Sequence, residues 1–444
     1  EEIFCHPQGN EDHVGGAKNP EEEQAMLDVA REQYVKNTMA RILAEVRRDG
    51  DAALVRLTQR FDDVSLSERR LRVRPQELRA LARKADRRLV AALREMAGRI
   101  EDFHRHQRQD GFTLRAGDGS ELREMVRPLD SAALYVPGGA GAYPSSVLMS
   151  AIPARVAGVP RLVVVTPPRT LEASPAVAAA ILIAGCQDSV YRVGGAQAVA
   201  ACAYGTRSLP AVAKVVGPGN AYVAEAKRQL RGAVEIDRDA GPSEVAILAD
   251  DSADPGLVAV DLLAQAEHGS GEETAVLVTP SRDLAEEVAR LVALGLPTVS
   301  NGKAAGRALA RHGALVLVRD LDQGVAAINA LAPEHAEVMT RRAEEIAERV
   351  IAGAVFVGSF SPVAVGDYGI GPNHVLPTGG SARYASPLSV RDFERRQSLV
   401  RLSRQGLLQV TEGMVRVAMA EGFRAHAVSL LTRFEGEREG RRGV

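Results

Sequence analysis

From about Ser131 the chain repeats one unit: a short run of β-branched and apolar residues, a glycine turn, then an alanine-rich stretch with helical spacing. "AALYVPGG", "RLVVVTPP", "SVYRVGGAQ" and "VAKVVGPGN" form a first set, and "SEVAILAD", "TAVLVTP", "ALVLVRD" and "GAVFVGS" a second. Apolar strands alternating with helices signal βα units around a parallel sheet, whose two faces are both covered by crossover helices. The expectation is an α/β protein with two Rossmann-like parallel-sheet domains. Periodicity alone fits two sequential domains as well as one inserted in the other.

The flanks differ in texture. Residues 1–20 read as a loose arm. Residues 21–49 read as a helix, with acids at the start, a glycine at the end and apolar residues at helical spacing. Residues 75–109 read as a second long helix opened by Pro75, with His104 and His106 on its solvated surface. From about residue 386 the chain is charged, helical and poor in strands.

Bulk properties exclude several function classes. The 444 residues carry a formal net charge of -2, so no global basic field draws nucleic acid or an anionic membrane. Aromatic residues make up 4% and Trp is absent, which argues against base-stacking platforms. No apolar run reaches the length of a membrane span, and the first residues lack the regions of a signal peptide. Cys5, Cys186 and Cys202 form no CxxC pair, which fits a reducing cytoplasm rather than a disulfide framework.

Several segments carry chemistry. In "DLLAQAEHGS", Asp254 and Pro255 upstream suit a helix start and Gly269 a stop. Gln265 and His268, three apart, then share a helical face, as half of a metal site or as a polar helix end. "LAPEHAEVMT" sets Glu334 beside His335, two proton acceptors of different pKa. "GDYGIGPNHVLPTGG" places Asp367, Asn373 and His374 in a long Gly/Pro loop, and such loops are often functional. "AEGFRAH" carries Glu421 and His426. The glycine turns of "VGPGNAYVAEAKRQL" and "YVPGGAGAYPSS" suit a phosphate, although no complete G-x-G-x-x-G occurs. Gln265, His268, Asp367 and His426 together offer two imidazole nitrogens and two oxygens, a set that suits Zn²⁺, with Mn²⁺ or Co²⁺ as alternatives. Nothing in their spacing brings these distant segments together, and residues alone lead no further than an α/β metalloenzyme.

At these residues the chain resembles the histidinol dehydrogenase family. The resemblance runs from about residue 31 to the C-terminus. It is carried by "VRRDGDAALVRLTQRFD", "YVPGGAGAYPSSVLMSAIPARVAGV", "VGGAQAVAA", "VGPGNAYVAEAKRQL", "DRDAGPSEVAILAD", "DLLAQAEHG", "APEH", "GDYGIGPNHVLPTGGSAR" and "AEGFRAH". Family members often read "SGTNH" where this chain has "IGPNH", which leaves Asn373 and His374 in place.

The resemblance implies one domain inserted in the other. Residues 31–133 and 243–385 would form the first, residues 134–242 the second on the NAD side, residues 1–30 an arm and residues 386–444 a tail exchanged across a homodimer. It implies Zn²⁺ held by Gln265, His268 and Asp367 of one chain and His426 of the other. His335 would be the acid–base residue and Glu334 the activator of water. Ser243, His374 and Glu421 would contact the substrate, and Tyr135, Gln197 and Asn220 would line the NAD⁺ site. The implied reaction takes L-histidinol through L-histidinal to L-histidine with two NAD⁺. The rivals are a related zinc- and NAD-dependent dehydrogenase of another small alcohol, and a zinc hydrolase, which would leave 134–242 unexplained. A cysteine thiohemiacetal route is conceivable for aldehyde oxidation, but Cys186 and Cys202 lie in alanine-rich structural contexts.

Overall fold

The structure, a computed structural model, describes residues 20–138, 143–238 and 241–437. Its strands are β1 (Arg72–Val73), β2 (Thr113–Arg115), β3 (Glu121–Pro128), β4 (Ala132–Tyr135), β5 (Leu162–Thr166), β6 (Val190–Arg192), β7 (Lys214–Val216), β8 (Glu235–Ile236), β9 (Glu244–Ala249), β10 (Thr274–Thr279), β11 (Gly313–Leu317), β12 (His335–Met339), β13 (Ala354–Val357) and β14 (Glu394–Arg401).

A first sheet has the order β1-β6-β5-β4-β7-β8, with β1 antiparallel at its edge and the other neighbours parallel. A second has the order β11-β10-β9-β12-β13 and is parallel throughout. In each the chain builds outward on one side of its first parallel strand, then crosses to the other side. The crossings fall between β4 and β7 and between β9 and β12, and such switch points open a crevice at the sheet edge.

The central strands of each sheet are buried on both faces, while the edge strand β11 is partly exposed. In β4, Ala132 and Leu134 face a core shared with the helices Pro75–Ala82, Arg87–Arg105 and Pro144–Ala157. Ala133 and Tyr135 face the opposite core, filled by the helices Pro20–Asp49, Asp51–Asp62, Gly195–Tyr204 and Ala221–Leu230. The period of two in a strand thus sorts consecutive residues between two cores. The second sheet does the same: Val245, Ile247 and Ala249 face the helix Pro255–Ala266, and Ala246 and Leu248 face the helix Leu321–Leu331.

The α/β class with parallel sheets agrees with the sequence expectation, but the insertion runs the other way. The apolar faces of the helices within 31–133 pack on the first sheet, and of 243–385 the loop at residues 369–373 reaches the helix Arg87–Arg105, where the Arg99 side chain donates to the Gly369 carbonyl at 2.9 Å. The chain then returns at Leu388, Val390 and Phe393, all fully buried in the first core. The second-sheet segment is therefore the inserted one. The reason is amphipathicity: the apolar stripes of the helices at 33–105 find their partners in β4, β5 and β6. The expected helix 75–109 is two helices, because Asp86 caps a new one through its carboxylate and the Leu89 N–H at 2.8 Å. Most of the expected arm and Cys5 lie outside the described residues.

Residues 109–128 and 394–437 form a second compact unit. There β3 pairs antiparallel with β2 and, over its full length, with β14. The tail thus holds an eight-residue strand that the sequence reading did not expect, since "ERRQSLVR" is polar and mostly exposed. The helices Arg404–Ala420 and Arg424–Leu431 follow; Ser403 caps the first, its hydroxyl accepting from the Gly406 N–H at 2.9 Å.

Candidate active site

The amino edge of the second sheet, at the β9/β12 switch point, gathers Glu334 and His335, the residues expected to move protons. His335 opens β12 and Glu334 precedes it; Glu244 opens β9 and Ser243 precedes it. Ala332, in the left-handed region at φ 45°, ends the helix Leu321–Leu331 and turns the chain into Pro333 and Glu334. A Cβ at Gly353 would stand 2.6 Å from the Glu334 carbonyl oxygen, so only glycine lets β13 approach so closely.

Glu334 and His335 are buried and pushed in opposite directions. Burial raises the Glu334 carboxyl to about 8, and the nearby charges of Asp367 and Glu244 add to the push. Burial lowers the His335 imidazole to about 4, with His268 and His374 adding to it and Asp367 opposing. Paired groups driven apart in this way are suited to acid–base work near neutral pH. The His335 Nδ1 lies 2.9 Å from the Glu244 carbonyl oxygen, which can only accept. Nδ1 therefore carries the proton and Nε2 keeps a free lone pair. The Ser243 side chain stands near the Glu334 carboxyl and opposes the upward push.

The helix Pro255–Ala266 delivers Gln265 to the same edge, because a helix following β9 runs back toward the start of β10. Asp254 caps it through the Gly256 N–H at 2.7 Å, as expected. Gln265 is 3% exposed, and neither its amide oxygen nor its nitrogen has a hydrogen-bond partner among the described residues. A buried amide left so costs about 1–3 kcal/mol unless something binds it. His268 lies in the turn beyond the helix, its Nδ1 3.0 Å from the Gln265 carbonyl oxygen.

Asp367 ends the short helix Val363–Asp367. His374 sits seven residues on, its Nδ1 3.1 Å from the Asp367 carbonyl oxygen and its Nε2 3.5 Å from the Ser146 hydroxyl. Asn373 fixes this loop: it is buried, its amide donates to the Met149 carbonyl at 2.7 Å, and it accepts from the Val375 N–H at 2.9 Å. Among the described residues no group of three or more His, Cys, Asp or Glu is placed to hold a metal ion alone. The orphaned Gln265 amide, with His268 and Asp367, fits an incomplete ligand set that needs a further donor.

The other expected residues lie elsewhere. Tyr135 ends β4, and its hydroxyl accepts from the Gly195 N–H at 3.0 Å; burial pushes the phenol up to about 12. Gln197 is buried in the next helical turn, and Asn220 caps the helix Ala221–Leu230 through the Val223 N–H at 3.1 Å. Gly217, at φ 116°, brings the loop after β7 against Tyr135, where a Cβ would meet the Tyr135 carbonyl oxygen at 2.2 Å. These residues mark the carboxyl edge of the first sheet at its β4/β7 switch point. Glu421 and His426 belong to the second compact unit, where both are exposed.

Two readings need correction or addition. His104, expected on the surface, is fully buried, with Nδ1 2.8 Å from the Ile100 carbonyl oxygen. Its neighbourhood in "FHRHQ" is charged, and only the packing of its helix puts it inside. Glu244 joins the site beyond the sequence expectation; its signal in the sequence is a carboxylate immediately after Ser243 that opens an apolar strand.

The family model for histidinol dehydrogenase matches residues 27–434. A histidinol dehydrogenase of Gluconobacter oxydans is 46% identical over 93% of this chain and 97% of its own length. One of Halalkalibacterium halodurans is 44% identical over 91% and 95% respectively. The crystal structure of histidinol dehydrogenase from Elizabethkingia anophelis superposes with a TM-score of 0.85 at 31% identity, covering 91% of this chain and 93% of that one.

Proposed function

The chain belongs to the histidinol dehydrogenase family and oxidises histidinol in histidine biosynthesis; from that premise we propose that it does so with one Zn²⁺ and NAD⁺, as a cytoplasmic homodimer. Gln265, His268 and Asp367 would hold the metal, and His426 of a second copy would supply the missing donor. The observation that carries the metal reading is the buried Gln265 amide with both polar atoms unpartnered. When bound, Zn²⁺ supplies a template for the substrate's amine and imidazole, and NAD⁺ accepts hydride.

The chain's own residues account for the proton movements. His335, neutral and with Nε2 free, takes the alcohol proton as hydride leaves and L-histidinal forms. Glu334, in its ionised form, takes a proton from water as it adds to the aldehyde, and hydride transfer to a second NAD⁺ gives L-histidine. A positioned base contributes about 10²–10⁴-fold. Ser243 stands near the Glu334 carboxyl, and His374, with Ser243 and Glu421 of the second copy, would contact the substrate. Tyr135, Gln197 and Asn220 would line the dinucleotide, a role supported by their place at the carboxyl edge of a parallel sheet.

A second copy is supported by what the chain leaves uncovered. Phe360 is 99% and Tyr384 86% exposed. In the second unit Leu408, Met414, Val417, Met419, Phe423, Val428 and Leu431 are exposed along two helices. Such a surface is what an obligate partner buries. The free, buried Cys186 and Cys202 agree with a reducing compartment. Among the described residues no helix is long and apolar enough to cross a membrane.

The test is the NADH formed per L-histidinol consumed, with excess NAD⁺, before and after chelation and zinc return. The reading requires two NADH per substrate, lost on chelation and restored by zinc. One NADH would remove Glu334 from the water step, and none from zinc-loaded protein would mean another alcohol or a hydrolytic reaction.

A further inference from the structure

We infer that Asp261 and Glu337 are positioning residues: a carboxyl pair sharing one proton that ties together the three elements presenting His335, Gln265 and Asp367. The inference rests on the reading of Gln265, His268 and Asp367 as a metal seat. Glu337 lies two residues beyond His335 in β12, on the same face of the strand, and is 1% exposed. Asp261 lies one helical turn before Gln265, on the same face of its helix. One Glu337 oxygen, Oε1, accepts from the Val363 N–H at 2.7 Å; Val363 opens the short helix that ends in Asp367.

The other Glu337 oxygen, Oε2, is buried and meets no ordinary donor. The Asp261 carboxyl faces it from the neighbouring helix, close enough for each to act on the other. Two carboxylates are both acceptors, so the pair closes only with a proton between them. Burial pushes both carboxyls upward, and the Asp261 charge adds to the push on Glu337. Glu337 thus touches the strand of the acid–base residue, the helix of the amide ligand and the helix of the carboxylate ligand. Neither member of the pair is needed for the proton transfers above. Groups of this kind, which orient ligands without binding the ion, typically govern metal affinity and activity 10–100-fold.

The experiment compares full-length wild type with Glu337→Ala, Glu337→Gln and Asp261→Ala. Zn²⁺ affinity is read by competition with a chromophoric chelator, NAD⁺ affinity by titration, and folding by thermal melting. Glu337→Ala is expected to weaken Zn²⁺ binding about 10–100-fold and leave NAD⁺ affinity unchanged. Glu337→Gln should restore near wild-type zinc binding, because its amide oxygen can accept from Val363 and its NH₂ can donate to Asp261. If Glu337→Ala does not fold, Asp261→Ala, at a partly exposed position, carries the same expectation. Zinc binding untouched by these changes would overturn the inference. So would parallel loss of zinc, NAD⁺ and melting temperature, or failure of Glu337→Gln to rescue. A wild type that takes up no stoichiometric zinc would overturn the metal reading itself, and this inference with it.

Discussion

Glu244 and Glu334 exchange hydrogen bonds: the backbone N–H of each donates to the carboxylate of the other, at 3.1 Å in both directions. The Glu244 carbonyl also fixes the His335 tautomer, and its carboxylate accepts from the Gly379 N–H at 3.1 Å. One residue therefore orients both groups proposed to move protons. Glu244→Ala is expected to lower kcat about 10–100-fold, by analogy with other orienting groups, with little change in NAD⁺ affinity. Steady-state kinetics and an NAD⁺ titration check this; an unchanged kcat would mean Glu334 holds its place unaided.

The opposite pushes on Glu334 and His335 give opposite pH slopes to the stability of the metal-free protein. Glu334, raised from 4.5 to about 8, binds more protons folded than unfolded across that range, so folding weakens as pH rises through it. His335, lowered from 6.5 to about 4, binds fewer protons when folded, so folding weakens as pH falls through that range. Glu334→Gln should therefore gain stability over wild type as pH rises from about 5 to 8, and His335→Gln should gain as pH falls from about 6.5 to 4. Denaturant titrations at several pH values measure both; parallel wild-type and variant curves would refute the assignment.

His335→Asn is expected to abolish turnover while zinc stays bound, measured by metal analysis beside the kinetics. Loss of zinc would make His335 a ligand rather than the base.

A thiol mechanism is tested by removing the thiols. Cys186 and Cys202 are 3% and 0% exposed, and burial pushes both up to about 12, so neither supplies thiolate near neutral pH. The Cys186→Ala/Cys202→Ala double variant should keep its turnover. Alanine is preferred to serine, whose buried hydroxyl without a partner would cost about 1–3 kcal/mol each. A folded, zinc-loaded but inactive double variant would bring a cysteine back into the chemistry.

Phe393 closes the first core from the far end of the inserted segment. Phe393→Ala should destabilise the protein by about 3–5 kcal/mol, read by denaturant unfolding, although it lies outside the site.

Part of the candidate site is legible in local chemistry: the Glu334–His335 neighbours and the Asp367–His374 loop are visible in single segments. The shared helical face expected for Gln265 and His268 is not found, because the helix ends at Ala266 and His268 lies in the turn beyond. The α/β class follows from strand–turn–helix alternation. Which edge of each sheet is used was not legible. Glu334 and His335 stand at the amino edge of the second sheet, whereas open α/β sheets usually bind ligands beyond the carboxyl edge. Only the order β11-β10-β9-β12-β13 brings Glu244 to Glu334 across 90 residues of chain. Strand β14 escaped notice because its pairing with β3 leaves it mostly exposed, so no apolar alternation marks it. His104 escaped because burial by tertiary packing overrides the charge of its neighbours.

The late return of Leu388, Val390 and Phe393 sets a timetable for synthesis on the ribosome. The strands of the first sheet are all made once Ile236 has emerged, yet the core beneath them lacks three of its buried side chains. At roughly 5–20 residues per second the nascent chain waits about 8–30 s for them, while the second sheet is translated in between. Through that interval the older half of the protein carries an open apolar seam, and its translation speed and chaperone cover bear on how much of it is recovered folded.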